Sequence, residues 1–175
     1  DNWQLMNLFD ATEMFFRCRN FTGTGANEWN LCNLQMGGCM FYGCIIFNPD
    51  SVAKWNPCKL TKATNMFFGC QQFSGKGLET WELSSLKEAV GMFSDCNNLN
   101  PESLESWKPS NLKDATMMFE SCKSFIGIGI ENPSYRSSIV SYNGGLYGLV
   151  LEENGRSYIY VDKYNNVKIR SDDNL

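Results

Sequence analysis

Eight cysteines are the first candidates for chemistry in this chain, because thiolates bind metals, attack electrophiles and pair as disulfides. Histidine is absent. That removes Ser-His and Cys-His nucleophile pairs, imidazole general bases and His-type metal sites, leaving carboxylate-only or cysteine-only chemistry. The spacing of the cysteines then decides. Cys18, Cys44, Cys70, Cys96 and Cys122 are each 26 residues apart, whereas zinc sites draw on close pairs a few residues apart. Cys32 and Cys58 share a second column, three residues after a tryptophan. Stacked equivalents about 5 Å apart fall within disulfide reach. Cys39 lies off both columns. The acids fall mostly between the columns, as on a solvated face. No catalytic residue, cofactor or metal ligand is assigned, and the expectation is a protein that is not an enzyme.

The cysteine step belongs to a repeat that runs through most of the chain. Trp3, Trp29, Trp55, Trp81 and Trp107 keep the same interval. So do Met14, Met40, Met66, Met92 and Met118, and Phe15, Phe41, Phe67, Phe93 and Phe119. Leu8 leads a leucine column to Leu112, Ala11 a small-residue column to Ala115, and Phe21 an apolar column to Phe125. One unit cannot bury its own apolar face, so successive units must stack. Within a unit, Leu86, Ala89, Met92, Phe93, Cys96 and Leu99 cover an arc of about 140° at helical spacing. Ser85 with Glu88 reads as a capping box for that helix. The short segment Leu78–Trp81 reads as a strand, and strands of successive units would stack as a parallel ladder.

A second layer alternates. The first, third and fifth units carry Gly-x-Gly at Gly23/Gly25, Gly75/Gly77 and Gly127/Gly129. The second and fourth carry Asn48-Pro49-Asp50-Ser51 and Asn100-Pro101-Glu102-Ser103, with Pro57 and Pro109 two residues after tryptophan. Proline cannot donate to a ladder, so strands should end at tryptophan and the turns on this edge should alternate in shape. Asn20-Phe21-Thr22 matches a glycosylation sequon, but Phe21 belongs to a core column, which argues against a glycan there.

The pattern Met66-Phe67-x2-Cys70-x2-Phe73-x7-Trp81 and its copies, led by Leu60 and Ala63, resembles the BspA-like class of leucine-rich repeats, the 26-residue bacterial-surface-protein repeat. The resemblance implies a curved solenoid for adhesion or protein contact, at the surface of a cell or of a virus particle, with no catalytic residues to transfer. The expected fold class is α/β: a leucine-rich-repeat-type solenoid of five helix-strand coils over 1–132. Beyond it, 133–175 should form a β-rich cap. There Leu146–Leu151, Ser157–Val161 and Val167–Arg170 read as strands of a small meander, separated by turn residues.

Net charge is −4 with scattered Lys and Arg, which gives nucleic acid no basic footprint to bind. No apolar run is long enough to span a membrane. One feature does not fit a core. The residue after the ladder phenylalanine is Phe16, Tyr42 and Phe68 in the first three units, then Ser94 and Glu120. On a helix it points about 150° from the buried stripe, so three aromatics would face outward as an apolar patch of the kind that marks contacts. The expectation is a protein-interaction or structural module, part of a larger assembly such as a virus particle or scaffold, that meets protein partners through Phe16, Tyr42 and Phe68. The alternative is a cell-surface adhesin that binds host protein or glycan.

Overall fold

The computed structural model describes residues 3–104, 107, 109–125, 157–161 and 167–171. Residues 26 apart lie side by side on neighbouring coils: 3–28, 29–54, 55–80, 81–106 and 107–125 are coils 1 to 5. Asp10, Met36, Lys62, Glu88 and Asp114 form parallel bridges, each to the next.

Each coil is built from turns. In coil 1 the N–H groups of Ala11, Glu13, Phe15 and Arg17 donate to the carbonyls of Met36, Gly38, Met40 and Tyr42 in coil 2, at 2.6–2.9 Å. The alternate N–H groups of Met14, Phe16 and Cys18 turn back to Ala11, Glu13 and Phe15 of their own coil. The inter-coil set recurs at every junction, for example Phe41 to Met66, Phe67 to Met92 and Phe93 to Met118. Sending every second N–H to a neighbour bends the backbone tightly, and in this segment of each coil two residues take positive φ. They are Glu13 and Arg17, Cys39 and Gly43, Asn65 and Gly69, Gly91 and Asp95, and Met117 and Ser121, at 53–72°. Positive φ at the third residue of a turn is the type II signature.

This overturns the expected α/β leucine-rich-repeat-type solenoid of helix-strand coils. Among the described residues there is no α-helix; the regular elements are three 3-10 turns, Ala26–Glu28, Ala53–Trp55 and Leu78–Thr80, and two strands near the C-terminus. The helix expected over Leu86–Leu99 is interrupted by left-handed Gly91 and Asp95. Glu88, assigned to its capping box, sits in the bridge column. Leu78–Trp81, expected as a strand, is a 3-10 turn, and the parallel contacts run through the segment read as helix. The reason is that apolar residues three apart suit a helix and a run of three-residue turns equally. Glu13 tests the difference by sign. Glutamate is a good helix former, so in a helix Glu13→Gly would cost about 1 kcal/mol. At φ 58° it should instead stabilise the chain by about 0.5–1 kcal/mol, because a side chain in left-handed backbone is strained. A chemical-denaturation midpoint that moves down would refute the turn assignment.

The stacked coils enclose three aromatic columns. Phe15, Phe41, Phe67, Phe93 and Phe119 stack at centroid spacings of 5.3–5.6 Å. Trp3, Trp29, Trp55 and Trp81 stack at 5.6–5.9 Å. Phe21, Phe47 and Phe73 follow at 5.6 and 5.7 Å. Rings within a coil also touch, as in Phe41–Phe47 at 4.4 Å. These spacings slightly exceed the separation of hydrogen-bonded strands, so one ring per coil fills its column. The polar ends of buried side chains reach back to carbonyls 29 residues earlier. The indole N–H groups of Trp55, Trp81 and Trp107 donate to the carbonyls of Ala26, Val52 and Leu78. The thiols of Cys44, Cys70, Cys96 and Cys122 donate to the carbonyls of Phe15, Phe41, Phe67 and Phe93.

The alternating edge also has a packing cause. A Cβ on Gly23 would lie 2.7 Å from Phe47 and 3.2 Å from Pro49 of the next coil; one on Gly75 would meet Leu99 at 2.6 Å and Pro101 at 3.5 Å. Gly23 and Gly75 therefore make room for the neighbouring proline coil. The turns alternate accordingly. Those at Ala26–Glu28 and Leu78–Thr80 follow a left-handed glycine and exit through extended Trp29 and Trp81, whereas Ala53–Trp55 follows Val52 and exits through left-handed Asn56.

Strands β1 (Ser157–Val161) and β2 (Val167–Ser171) pair antiparallel, with Ile159 opposite Ile169. The run Leu146–Leu151 and the glycines Gly127 and Gly129 lie outside the described residues.

Candidate interaction surface

Phe16, Tyr42 and Phe68 are positioned by the turn that carries the core phenylalanine. The side chain of Phe41 points inward and is fully buried; the next residue points out, and a left-handed residue follows it. Repetition at the coil spacing then sets the three rings in single file. Phe16 and Tyr42 lie 5.0 Å apart at 24°, and Tyr42 and Phe68 lie 4.8 Å apart at 5°. The guanidinium of Arg17 sits 5.2 Å over the Phe16 ring, a cation–π contact that closes the file at coil 1. Phe16 is 38% exposed; Tyr42 and Phe68 are half-buried. Beyond Phe68 the column continues as buried Ser94, so the outward aromatic strip ends at coil 3. Gly43 and Gly69 follow Tyr42 and Phe68.

Coil 1 holds what the repeat pattern concealed. Trp3 and Met14 belong to core columns, yet they are exposed, as are Met6 and Phe9. The column residues of coils 2 to 4 are buried. Nothing in the residue types of coil 1 signals this difference, because they repeat those of the buried columns.

A shallow groove of about 630 Å³ crosses coils 1 to 4, lined by Glu28, Asn30, Lys54, Asn56, Thr80 and Glu82 among others. Lys54 and Glu28 pair across it at 2.6 Å; both are largely exposed, so the pair contributes little to stability. Among the described residues, no three acids and thiols gather closely enough to hold a metal ion, and no helix is long and apolar enough to cross a membrane.

The thiols divide by depth. Burial holds the thiols of Cys70, Cys96 and Cys122 well above their ordinary range, and pushes that of Cys44 up to about 12, with the neighbouring column thiol adding to the effect for Cys44, Cys70 and Cys96. Cys39 is raised by burial and then by the charge of Glu13. Cys58 donates its thiol to the Cys32 carbonyl at 3.7 Å, and both cysteines are free. A thiol protonated in the fold but free to ionise near 9.0 when unfolded stabilises fully below that pH, and the contribution fades as pH rises towards 12. The folded protein should therefore lose stability progressively above about pH 9. At neutral pH, alkylation followed by mass spectrometry should label exposed Cys18 promptly, and Cys70 and Cys96 only as fast as the chain unfolds. Equal rates at Cys18 and Cys96 would contradict the buried column.

A family model described as "Mycoplasma protein of unknown function, DUF285" matches residues 1–76 and 39–132. This replaces the expected BspA-like leucine-rich-repeat membership, which rested on the pattern Met66-Phe67-x2-Cys70-x2-Phe73-x7-Trp81 and its copies. No curated protein and no solved structure matches the chain.

Proposed function

Given that the chain belongs to the DUF285 family of Mycoplasma proteins of unknown function, we propose that it is a non-enzymatic interaction module that presents Phe16, Tyr42 and Phe68 to a protein partner. The observation that carries this reading is the file of three outward rings, stacked at 5.0 and 4.8 Å on successive coils. Aromatic side chains already ordered by stacking lose little entropy on docking, and they are enriched where protein surfaces meet. The test is a Phe16→Ser/Tyr42→Ser/Phe68→Ser triple variant, compared with the parent by cross-linking and mass spectrometry in native lysate. The expected result is loss of specific partners, with a thermal melt confirming that the coils remain folded. An unchanged set of partners ends the proposal.

A second reading, an adhesin that binds glycan, is favoured by the groove, where amides, acids and a hydroxyl converge. A glycan array probed with the parent and with Asn30→Ala/Asn56→Ala would decide it. Absence of any hit with the parent removes it.

A further inference from the structure

A two-residue turn recurs in every coil shortly after the tryptophan. Leu8, Leu34, Leu60, Leu86 and Leu112 close it, each donating its N–H to the carbonyl three residues back at 2.9–3.0 Å. The first of its two central residues is Met6, Cys32, Cys58, Ser84 and Ser110 in coils 1 to 5, so in this column thiols are neighbours only where coil 2 joins coil 3. Two contacts hold those coils in register here. The Leu31 N–H donates to the Trp55 carbonyl at 2.8 Å, and the Lys59 ammonium donates to the Asn33 side-chain oxygen at 2.7 Å. The Trp29 and Trp55 rings, which precede the two turns, stack at 5.6 Å. Residues stacked at that interval fall within the Cα separation of about 4.4–6.8 Å that a disulfide spans. The turn corners Leu31, Leu34 and Leu60 are fully buried, whereas Cys32 and Cys58 are half-buried and lie outside the core cluster. A change of rotamer at either cysteine therefore leaves the core packing intact. The Cys58 sulfur already leans along the stack, 3.7 Å from the Cys32 carbonyl oxygen.

The other column of thiols is held differently. Cys44, Cys70, Cys96 and Cys122 are buried and donate at 3.0–3.1 Å to carbonyls 29 residues earlier. Burial keeps them protonated, which withholds the nucleophilic thiolate. Cys18 is exposed, but its neighbour in that column is Cys44.

We propose that Cys32 and Cys58 form a site of oxidative modification, where an oxidant of the peroxide class joins them as a disulfide between coils 2 and 3. One thiolate attacks a peroxide oxygen; the O–O bond breaks, hydroxide leaves and takes up a proton as water, and the sulfur becomes a sulfenic acid. The second thiolate attacks that sulfur; the S–S bond forms, the S–O bond breaks, and hydroxide leaves and is protonated to a second water. Two thiols and one peroxide thus become one disulfide and two waters. The bridge closes a ring from residue 32 to residue 58 and so restricts the unfolded chain, which favours the stacked coils.

Hydrogen peroxide applied to the full chain at neutral pH, once folded and once in concentrated urea, tests this. Remaining thiols are then alkylated, and the chain is digested without reduction for mass spectrometry. Unfolded, the chain should give a mixture of links, because Cys18–Cys44, Cys44–Cys70 and the other column pairs have the same 26-residue spacing as Cys32–Cys58. Folded, it should give one dominant product, the Cys32 and Cys58 peptides joined and lighter by two hydrogens. Cys32→Ser and Cys58→Ser, serine being the residue at this place in coils 4 and 5, should each abolish that product. The oxidised parent should melt several degrees above the reduced parent, and neither variant should show the shift. The same mixture from folded and unfolded chain, a dominant Cys18–Cys44 link, links only between separate chains, or Cys32 and Cys58 left as free thiols or as sulfinic acids would each overturn the proposal.

Discussion

Gly77→Ala should destabilise this protein by about 3 kcal/mol or more, whereas Gly25→Ala, at the same place in the repeat, should cost about 1–2 kcal/mol. Both glycines are left-handed, at φ 97° and 83°, so both substitutions carry the strain of a side chain in that region. Their surroundings differ. A Cβ at Gly77 would lie 2.4 Å from the Ala53 nitrogen, 2.5 Å from the Ser51 hydroxyl and 2.8 Å from the Val52 nitrogen; at Gly25 nothing lies within 4 Å. Gly77 rests on the backbone of coil 2, and backbone held by its own hydrogen bonds cannot swing aside as a side-chain tip would. Val52 N–H, for instance, is bonded to the Lys76 carbonyl at 2.9 Å. Urea denaturation of the two variants measures the difference directly. Equal losses would show that the coils are not in contact at this edge.

The second large effect concerns the ring columns. Phe67→Ala should cost about 3–5 kcal/mol, the range for a phenylalanine removed from a close-packed core. Phe67 is fully buried and lies 5.3 Å from both Phe41 and Phe93 and 4.7 Å from Phe73. Phe15→Ala, one end of the same column, should cost about 1–2 kcal/mol, because Phe15 is half-buried and less surface is returned to water. Calorimetry at low protein concentration isolates the single-chain value. Similar costs for the two variants there would mean that coil 1 is already covered as completely as coil 3.

How far the sequence led can be judged at particular residues. The Trp, Met, Phe and Cys columns lie in the shared interior of coils 2 to 4, as repetition demanded, because a 26-residue unit can bury its apolar face only against its neighbours. Phe16, Tyr42 and Phe68 were legible as a set, and the structure does bring them into contact on the outside. The local conformation was not legible. Leu86, Ala89, Met92 and Cys96 are spaced as a helix would space them, and the turns use the same spacing. Gly43, Gly69, Gly91, Asn65 and Asp95, residues tolerant of left-handed backbone, were the available signal. They occupy two columns also filled by Glu13, Arg17, Cys39, Met117 and Ser121, which hid it.

The sequence by itself determined the period, the columns and the need to stack, because those follow from which side chains must leave water and how often they recur. Only the tertiary structure decided where each backbone N–H goes. Half of those in the bridge segment bond to the next coil, and that choice, made between segments 25 residues apart, replaced a helix with turns. It also decided that buried tryptophan and cysteine donate to carbonyls 29 residues back, and that Trp3 and Met14 are exposed while their column partners are buried, since the burial of a coil depends on what lies beside it and not on its own residues.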